Sequence, residues 1–184
     1  MRSTYNEEQV IEQLRNANTQ RDAFGKVIEH YSSTLYWHIR RMVFDHDDAN
    51  DVLQNTFIKA WTSIDNFRGD AKLSTWLYKI AINESITFIN KQKAANNISL
   101  DDDDSFLANT LESDEYFDGD EAQLKLQRAI ATLPEKQRVV FNLRYYDEMK
   151  YEDMSEILGT SVGALKASYH HALTTIETFF QDND

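Results

Sequence analysis

Apolar residues recur three and four positions apart through most of the chain, and this spacing predicts helices separated by short polar breaks. Val10, Ile11 and Leu14 follow Asn6 and Gln9, a capping pair three residues apart, and predict a first short helix. From Asp22 to Val43, the apolar positions Phe24, Val27, Ile28, Tyr31, Leu35, Ile39 and Met42 predict a second, longer helix. The break Asp45-His46-Asp47-Asp48 ends it and offers new N-cap residues. Ala49, Val52, Leu53, Thr56, Phe57, Ala60 and Ile64 then form one buried stripe. The opposite face carries Asp51, Gln54, Asn55, Ile58 and Lys59, an apolar isoleucine among polar groups of both signs, as a protein-binding face does. A solvated helix face would show the same pattern.

Phe67-Arg68-Gly69-Asp70 reads as a turn-like loop, followed by a third major helix with Leu73, Trp76, Leu77, Ile80, Ala81 and Phe88 on its apolar side. A neighbouring stripe runs Trp76, Lys79, Asn83, Thr87, Asn90 and reaches Lys91 and Lys93. It combines a stacking ring, amides that can address a base edge and cations that neutralise phosphate, so it suits unpaired bases. Trp76 serves equally well as a core residue.

In the second half, Leu124, Leu126, Ile130 and Leu133 lead to Pro134, which suits the first turn of a new helix carrying Val139, Val140, Phe141, Leu143 and Tyr146. Tyr151 to Ala172 then reads as a short amphipathic helix, a turn at Gly159, and a longer helix with Ser161 as its N-cap. Met154, Ile157, Leu158, Leu165, Tyr169 and Leu173 can pack these two helices together. That leaves Gly163, Ala164, Lys166, Ala167 and His170 toward a DNA groove, as in a helix-turn-helix. An αα-hairpin that only packs is the plainer reading of the same segment.

Composition supports an all-α fold: 184 residues hold one proline and five glycines, too few turn-formers for a many-turned β architecture. With 41% apolar residues the chain can build modest cores, and the absence of cysteine excludes disulfides, zinc-thiolate sites and thiol catalysis. Nothing in the opening residues resembles an export signal, and no run approaches the roughly 18 apolar residues of a membrane span, so a cytoplasmic protein is expected.

The net charge of -12 argues against nucleic acid until its distribution is read. Residues 1–98 carry 12 basic and 12 acidic side chains, residues 99–122 none and 10, and residues 123–184 carry 7 and 9. Nearly all the excess thus sits in Asp101-Asp102-Asp103-Asp104 through Glu121, a stretch too self-repelling to pack. The chain divides accordingly into a domain at 1–95, an acidic flexible linker at 96–122 and a smaller domain at 123–184.

The motifs stand in a familiar order. Asp51 to Trp61 (DVLQNTFIKAW), Phe67 to Asp70 (FRGD), Thr75 to Asn83 (TWLYKIAIN), Leu133 to Arg138 (LPEKQR) and Leu143 to Tyr146 (LRYY), with the helix-turn-helix, resemble extracytoplasmic-function sigma factors. The resemblance spans nearly the whole chain outside the linker. It implies two helical domains, sigma region two and sigma region four, in a transcription initiation factor that is no enzyme, needs no cofactor and has no small-molecule substrate. Its implied partners are core RNA polymerase, promoter DNA and an anti-sigma factor.

By the same resemblance, Asp51, Gln54, Asn55, Ile58 and Lys59 dock on the polymerase coiled-coil. The loop from Phe67 to Ser74 holds a base flipped from the melted promoter element, at the cost of unstacking it. Phe67, Arg68, Lys72, Trp76, Lys79, Asn83 and Lys91 are the single-strand candidates. Arg138, Arg144, Ser161, Gly163, Ala164, Lys166, Ala167, His170 and His171 are the duplex candidates. The acidic linker is implied to enter the polymerase's cationic RNA channel.

Four positions depart from the family pattern: Ala164 and Leu165 stand where threonine and valine are usual, Ser168 and His171 where arginines are usual. Lys166, Arg138, Arg144 and Lys150 must then supply most of the positive charge of this domain, and free-standing DNA affinity should be poor.

Three other readings compete. Asp101, Asp103, Ser105, Leu107, Asn109 and Glu112 match calcium-loop positions, but Phe106 occupies the place where that loop needs glycine. His30, His38 and His46-Asp47-Asp48 invite a metal hydrolase, yet His30 and His38 are too far apart for a helical ligand pair and the Asp dyad is explained by capping. A regulator that binds DNA alone differs from a sigma factor in needing no polymerase.

Overall fold

The structure is a computed structural model, which describes residues 4–96, 107, 109–111 and 119–184. Among the described residues it is all-α, without strands. The helix pattern of the sequence is present, with its caps. Helix α1 (Glu7–Leu14) starts where Asn6 Oδ1 accepts the Gln9 N–H at 3.0 Å. Helix α2 (Gln20–Val43) is followed by α3 (His46–Thr62), whose N-cap Asp45 accepts the Asp48 N–H at 2.9 Å. A 3-10 turn (Ile64–Asn66) leads through the Phe67 loop into α4 (Leu73–Ala95). Helices α1 to α4 form one bundle, with Val27, Leu35, Ile39, Ala49, Val52, Ala60, Leu73, Leu77 and Ala81 fully or nearly fully buried.

The second unit comprises α5 (Glu121–Ala131), α6 (Glu135–Tyr145), α7 (Tyr151–Leu158) and α8 (Val162–Asp182). Asp120 caps α5 through the Gln123 N–H, and Ser161 caps α8 through the Ala164 N–H. Gly159 ends α7 at φ 64°, the left-handed conformation a tight helix-turn-helix turn requires and one glycine enters at little cost. Helix α8 lies against α5, α6 and α7 and so carries the core of this unit.

The two helical domains expected from the sequence are present, and they pack on each other: α6 lies on α2 and α7 on α4, and Met154, Ile157, Val139 and Leu143 share one apolar cluster with Leu73, Leu77 and Met42. One expectation is revised: two leucines of the acidic stretch do pack. Leu107 and Leu111, four residues apart on one helical face, are 1% and 3% exposed, in a second cluster with Phe44, Ile130, Leu133 and Phe141. Charge density alone misjudged this segment, because burying two leucines offsets local repulsion that solvent screens.

Phe44 joins the units from the other side. It ends α2 at φ 65°, a backbone conformation that costs a side-chain-bearing residue about 1–2 kcal/mol. Its ring is 1% exposed, and burial of a phenylalanine, about 1.5–3 kcal/mol, offsets that strain.

Candidate polymerase and promoter-binding surfaces

The α3 candidates share one exposed face. Asp51, Gln54, Asn55, Ile58 and Lys59 are all solvent-exposed, Ile58 at 55%, while Val52, Thr56, Phe57 and Ala60 line the buried side. Lys59 Nζ lies 2.8 Å from Glu84 Oε1 on α4. Gln54 and Ile58 also border an open groove of about 800 Å³ between α2 and α3, completed by Arg21, Phe24, Gly25, Ile28, Phe57 and Trp61. Its walls are mostly apolar, and Ile28 and Trp61 are 36% and 39% exposed. The helical period placed Ile28 with the core residues; the structure instead turns it to the groove. Gly25 has nothing within 4 Å of where a Cβ would stand, so the floor of the groove is open at that point. Gly25, Ile28 and Trp61 were missed in the sequence because they belong to two helices whose faces meet only in the fold.

The single-strand candidates gather around the start of α4. Lys72, Trp76, Lys79 and Asn83 follow one another at spacings of four, three and four, which puts them along one side of the helix, and Lys91 continues it two turns on. Lys72, Lys79, Asn83 and Lys91 are exposed. Trp76 is half-buried with its ring 5.1 Å from that of Phe67, so it supports the loop and lends only part of its surface to a ligand. Arg68 is exposed, and its carbonyl accepts a hydrogen bond from Arg15 Nη2 at 3.1 Å. Gly69 adopts φ 82°, which makes the turn demand glycine, and a Cβ there would come within 2.6 Å of the same Arg15 nitrogen and displace that flexible side chain from its bond to the loop. Arg15, just past α1, is a loop anchor no motif reveals.

In the helix-turn-helix, Ser161, Gly163, Ala164, Lys166, Ala167, His170 and His171 are exposed, while Leu165 and Ala172 point into the core. Lys166 Nζ lies 5.7 Å from the centre of the Tyr151 ring. The two arginines differ from the sequence expectation in their surroundings. Arg138 is 1% exposed, its Nη1 donating to the Leu133 carbonyl, which places its guanidinium beyond reach of a phosphate on the surface. Arg144 is half-buried, donates to the Met149 carbonyl at 3.0 Å and stacks on Tyr151. Both amphipathic side chains fill the packing of α6, which periodicity could not distinguish from a basic surface.

The histidines have structural neighbours. His30 stacks on Tyr5 with ring centres 3.7 Å apart, His46 Nδ1 lies 2.6 Å from the Tyr36 hydroxyl, and His38 Nδ1 lies 2.9 Å from Asp147 Oδ2. Among the described residues no His, Asp and Glu group could hold a metal ion. Of the calcium-loop positions, Leu107 is buried in the second apolar cluster, and Asp101, Asp103, Ser105 and Glu112 lie outside the described residues. No helix among the described residues is long and apolar enough to cross a membrane.

Residues 27–95 match the Sigma-70 region 2 family and residues 123–176 the Sigma-70, region 4 family. The chain is 30% identical to the ECF RNA polymerase sigma factor SigW of Bacillus subtilis, over 94% of this chain and 95% of that protein. The chain belongs to the extracytoplasmic-function sigma factors. A second sigma factor, the RNA polymerase sigma-H factor of Pseudomonas aeruginosa, is also 30% identical, over 95% of this chain and 94% of its own. Two solved sigma factor structures share the fold. CnrH in complex with the cytosolic domain of CnrY has a TM-score of 0.71 at 21% identity, covering 97% of this chain and 99% of that one. RpoE in complex with the anti-sigma factor NepR from Bartonella quintana has a TM-score of 0.65 at 21% identity, covering 86% and 96%. Neither matched sigma region is a catalytic family.

Proposed function

We propose that this sigma factor, which directs RNA polymerase to specific promoters, divides the work among three surfaces. The exposed face of α3, with Asp51, Gln54, Asn55, Ile58 and Lys59, docks on the polymerase coiled-coil, and the adjoining groove at Gly25, Ile28 and Trp61 receives apolar side chains of the same partner. Apolar anchors within a polar rim are what a tight but reversible interface needs. The Phe67 to Lys72 loop and the start of α4, with Lys79 and Asn83, hold the melted strand, where an extruded base exchanges its stacking for the Phe67–Trp76 pair and an amide that can pair with a base edge. The exposed start of α8, from Ser161 through His171, enters the major groove of a second element that stays double-stranded.

The observation that carries this reading is the presence of both sigma regions, with the α3 candidates, Arg68, Lys72, Lys79, Asn83 and Lys91, and Ser161 through His171 of the recognition helix offering exposed residues, while Phe67 and Trp76 are half-buried and Arg138 and Arg144 turn inward. With those two arginines engaged internally, Lys166 on the recognition helix and Lys150 at the start of α7 are exposed cations of this unit, too few for strong duplex binding without contacts polymerase supplies. The solved complex of RpoE with an anti-sigma factor supports a partner of that kind for this chain. The test is promoter choice: replacing Asn83 with alanine should alter the preferred bases of the melted element while polymerase binding is kept. Identical transcription from all variants of that element by parent and N83A would remove the base-reading role.

A further inference from the structure

Helix α8 offers DNA little permanent charge. From Val162 to Asp182 it holds one lysine, Lys166, no arginine, and two adjacent histidines, His170 and His171. Gly163, Ala167, His170 and Thr174 follow at spacings of four, three and four and form one ridge, with His171 beside it. The opposite side, at Leu165, Ala172 and Ile176, is buried, and both histidines are exposed on the outer side. The small residues of the first turns let a groove come close. His170 and His171 then stand about one turn farther along, where the walls of that groove carry phosphate.

The two rings have their centres 6.1 Å apart, and the hydroxyls of Thr174 and Thr175 donate only to the histidines' backbone carbonyls. The carboxylates on the helices packed against α8 are Glu121 on α5, Glu135 on α6, and Glu152, Asp153 and Glu156 on α7; Leu107 and Asn109 to Leu111 of the acidic stretch carry none. Among the described residues, neither imidazole has an ion pair with any of these or with Glu177, about two turns along α8. The cations of those helices are engaged elsewhere or distant in sequence from the ridge: Lys125 pairs with Asp184, Arg138 and Arg144 donate to carbonyls, and Arg128 and Lys136 lie on α5 and α6. The phenols Tyr145, Tyr151 and Tyr169 interact with one another, and phenols ionise far above the range of imidazole.

We propose that His170 and His171 contact phosphates of the double-stranded promoter element as imidazolium ions, so that duplex binding by α8 takes up protons. The proposal rests on the reading of α8 as the helix that enters the major groove. In the free chain a charge on one ring disfavours a charge on the other. A phosphate beside the pair reverses that balance, because a nearby anion favours the charged form, and each imidazole takes one proton from solvent on binding. Histidine is the side chain whose charge changes between about pH 5 and 8. Together with Lys166, the helix presents one charge to DNA in alkaline solution and up to three in mildly acid solution. The bound state holds more protons than the free state, so falling pH favours binding.

The full-length chain is titrated with a labelled duplex of mixed sequence at about pH 6 and about pH 8, from low salt upward, with circular dichroism to establish that each variant keeps its helices. Each phosphate contact adds about 0.9 to the slope of log affinity against log salt. The parent slope should be steeper by about 1 to 2 at the lower pH, with binding about tenfold tighter. The chain carrying His170→Gln and His171→Gln should lose that difference, and the chain carrying His170→Arg and His171→Arg should keep the steep slope at both pH values. Equal parent slopes at the two pH values, or a difference that survives in the double glutamine chain, would overturn the proposal. Lys166→Ala should flatten the slope by about 0.9 at both pH values. A K166A chain that binds as the parent does would instead remove the reading of α8 on which the proposal rests.

Discussion

His38 on α2 and Asp147 after α6 stand 109 residues apart in the chain and 2.9 Å apart in space, with His38 fully buried and Asp147 nearly so. Arg41 reaches the other oxygen of the same carboxyl at 3.8 Å, and Tyr78 of α4 also faces it. Burial first, and Asp147 second, push the Tyr78 hydroxyl well above the usual tyrosine range. Burial and Glu7 likewise raise Tyr31, and burial pushes Tyr5 up to about 12 from 10.0.

These tyrosines set an alkaline limit on the fold. A group whose pKa is raised in the folded state lends stability that is complete below its unfolded value and is lost as pH rises beyond it. Stability should therefore hold up to about pH 10 and fall toward pH 12 as Tyr5 ionises, with Tyr31 and Tyr78 acting in the same direction. Thermal unfolding followed across this range, alongside tyrosinate absorbance, checks it. Tyr78→Phe should lessen the alkaline fall, and a melting temperature independent of pH between 9 and 12 would contradict the assignment.

The groove between α2 and α3 permits a substitution that adds atoms without disturbing the core. Gly25 is helical, and a side chain there meets open space. Gly25→Ala should stabilise α2 slightly, by about 0.5–1 kcal/mol. Gly25→Leu fills the groove and should weaken competition for core polymerase by at least about tenfold, as should Ile58→Ala, with helicity unchanged in both. Circular dichroism and a competition assay read the two effects separately.

At the promoter-strand loop, Gly69→Ala places a methyl group in left-handed backbone and against the Arg15 guanidinium. The backbone strain alone is worth about 1–2 kcal/mol. Because the loop lies at the surface, most of the effect should appear as disturbed promoter melting rather than global unfolding. Permanganate footprinting of unpaired thymines with reconstituted holoenzyme would register it, and the Arg15→Ala chain should show a milder version of the same defect.

Leu107 and Leu111 bring two residues of the acidic segment into the apolar core. Either leucine to alanine should lower stability by about 2–5 kcal/mol, the range for emptying a buried leucine site. Chemical denaturation of the two variants measures this directly. An effect as small as that of a surface substitution, within about 0.5 kcal/mol, would mean that the segment does not contribute to the core.

Helices, caps and the helix-turn-helix were legible in the sequence because each is local: Asn6, Asp45 and Ser161 sit three residues before the N–H they satisfy. The exposed face of α3 proposed to bind polymerase was legible for the same reason, as one side of one helix. What periodicity could not reach depends on pairs distant in the chain. The groove needs Ile28 beside Trp61, the loop needs Arg15 beside Gly69, and the closed seam needs His38 beside Asp147. Arg138 shows the converse: a cation in a basic-looking motif is drawn into the core because its methylenes pack and its guanidinium finds a carbonyl.

The central claim, that this chain gives polymerase its promoters, is tested most directly by adding it to sigma-free core RNA polymerase with a pool of bacterial promoters and sequencing the 5′ ends of the transcripts. The account predicts discrete start sites that share two upstream motifs and disappear when Gln54 and Ile58 are both replaced by alanine. Failure to bind core polymerase, with sequence-specific binding to duplex DNA retained, would contradict it and make the chain a stand-alone regulator.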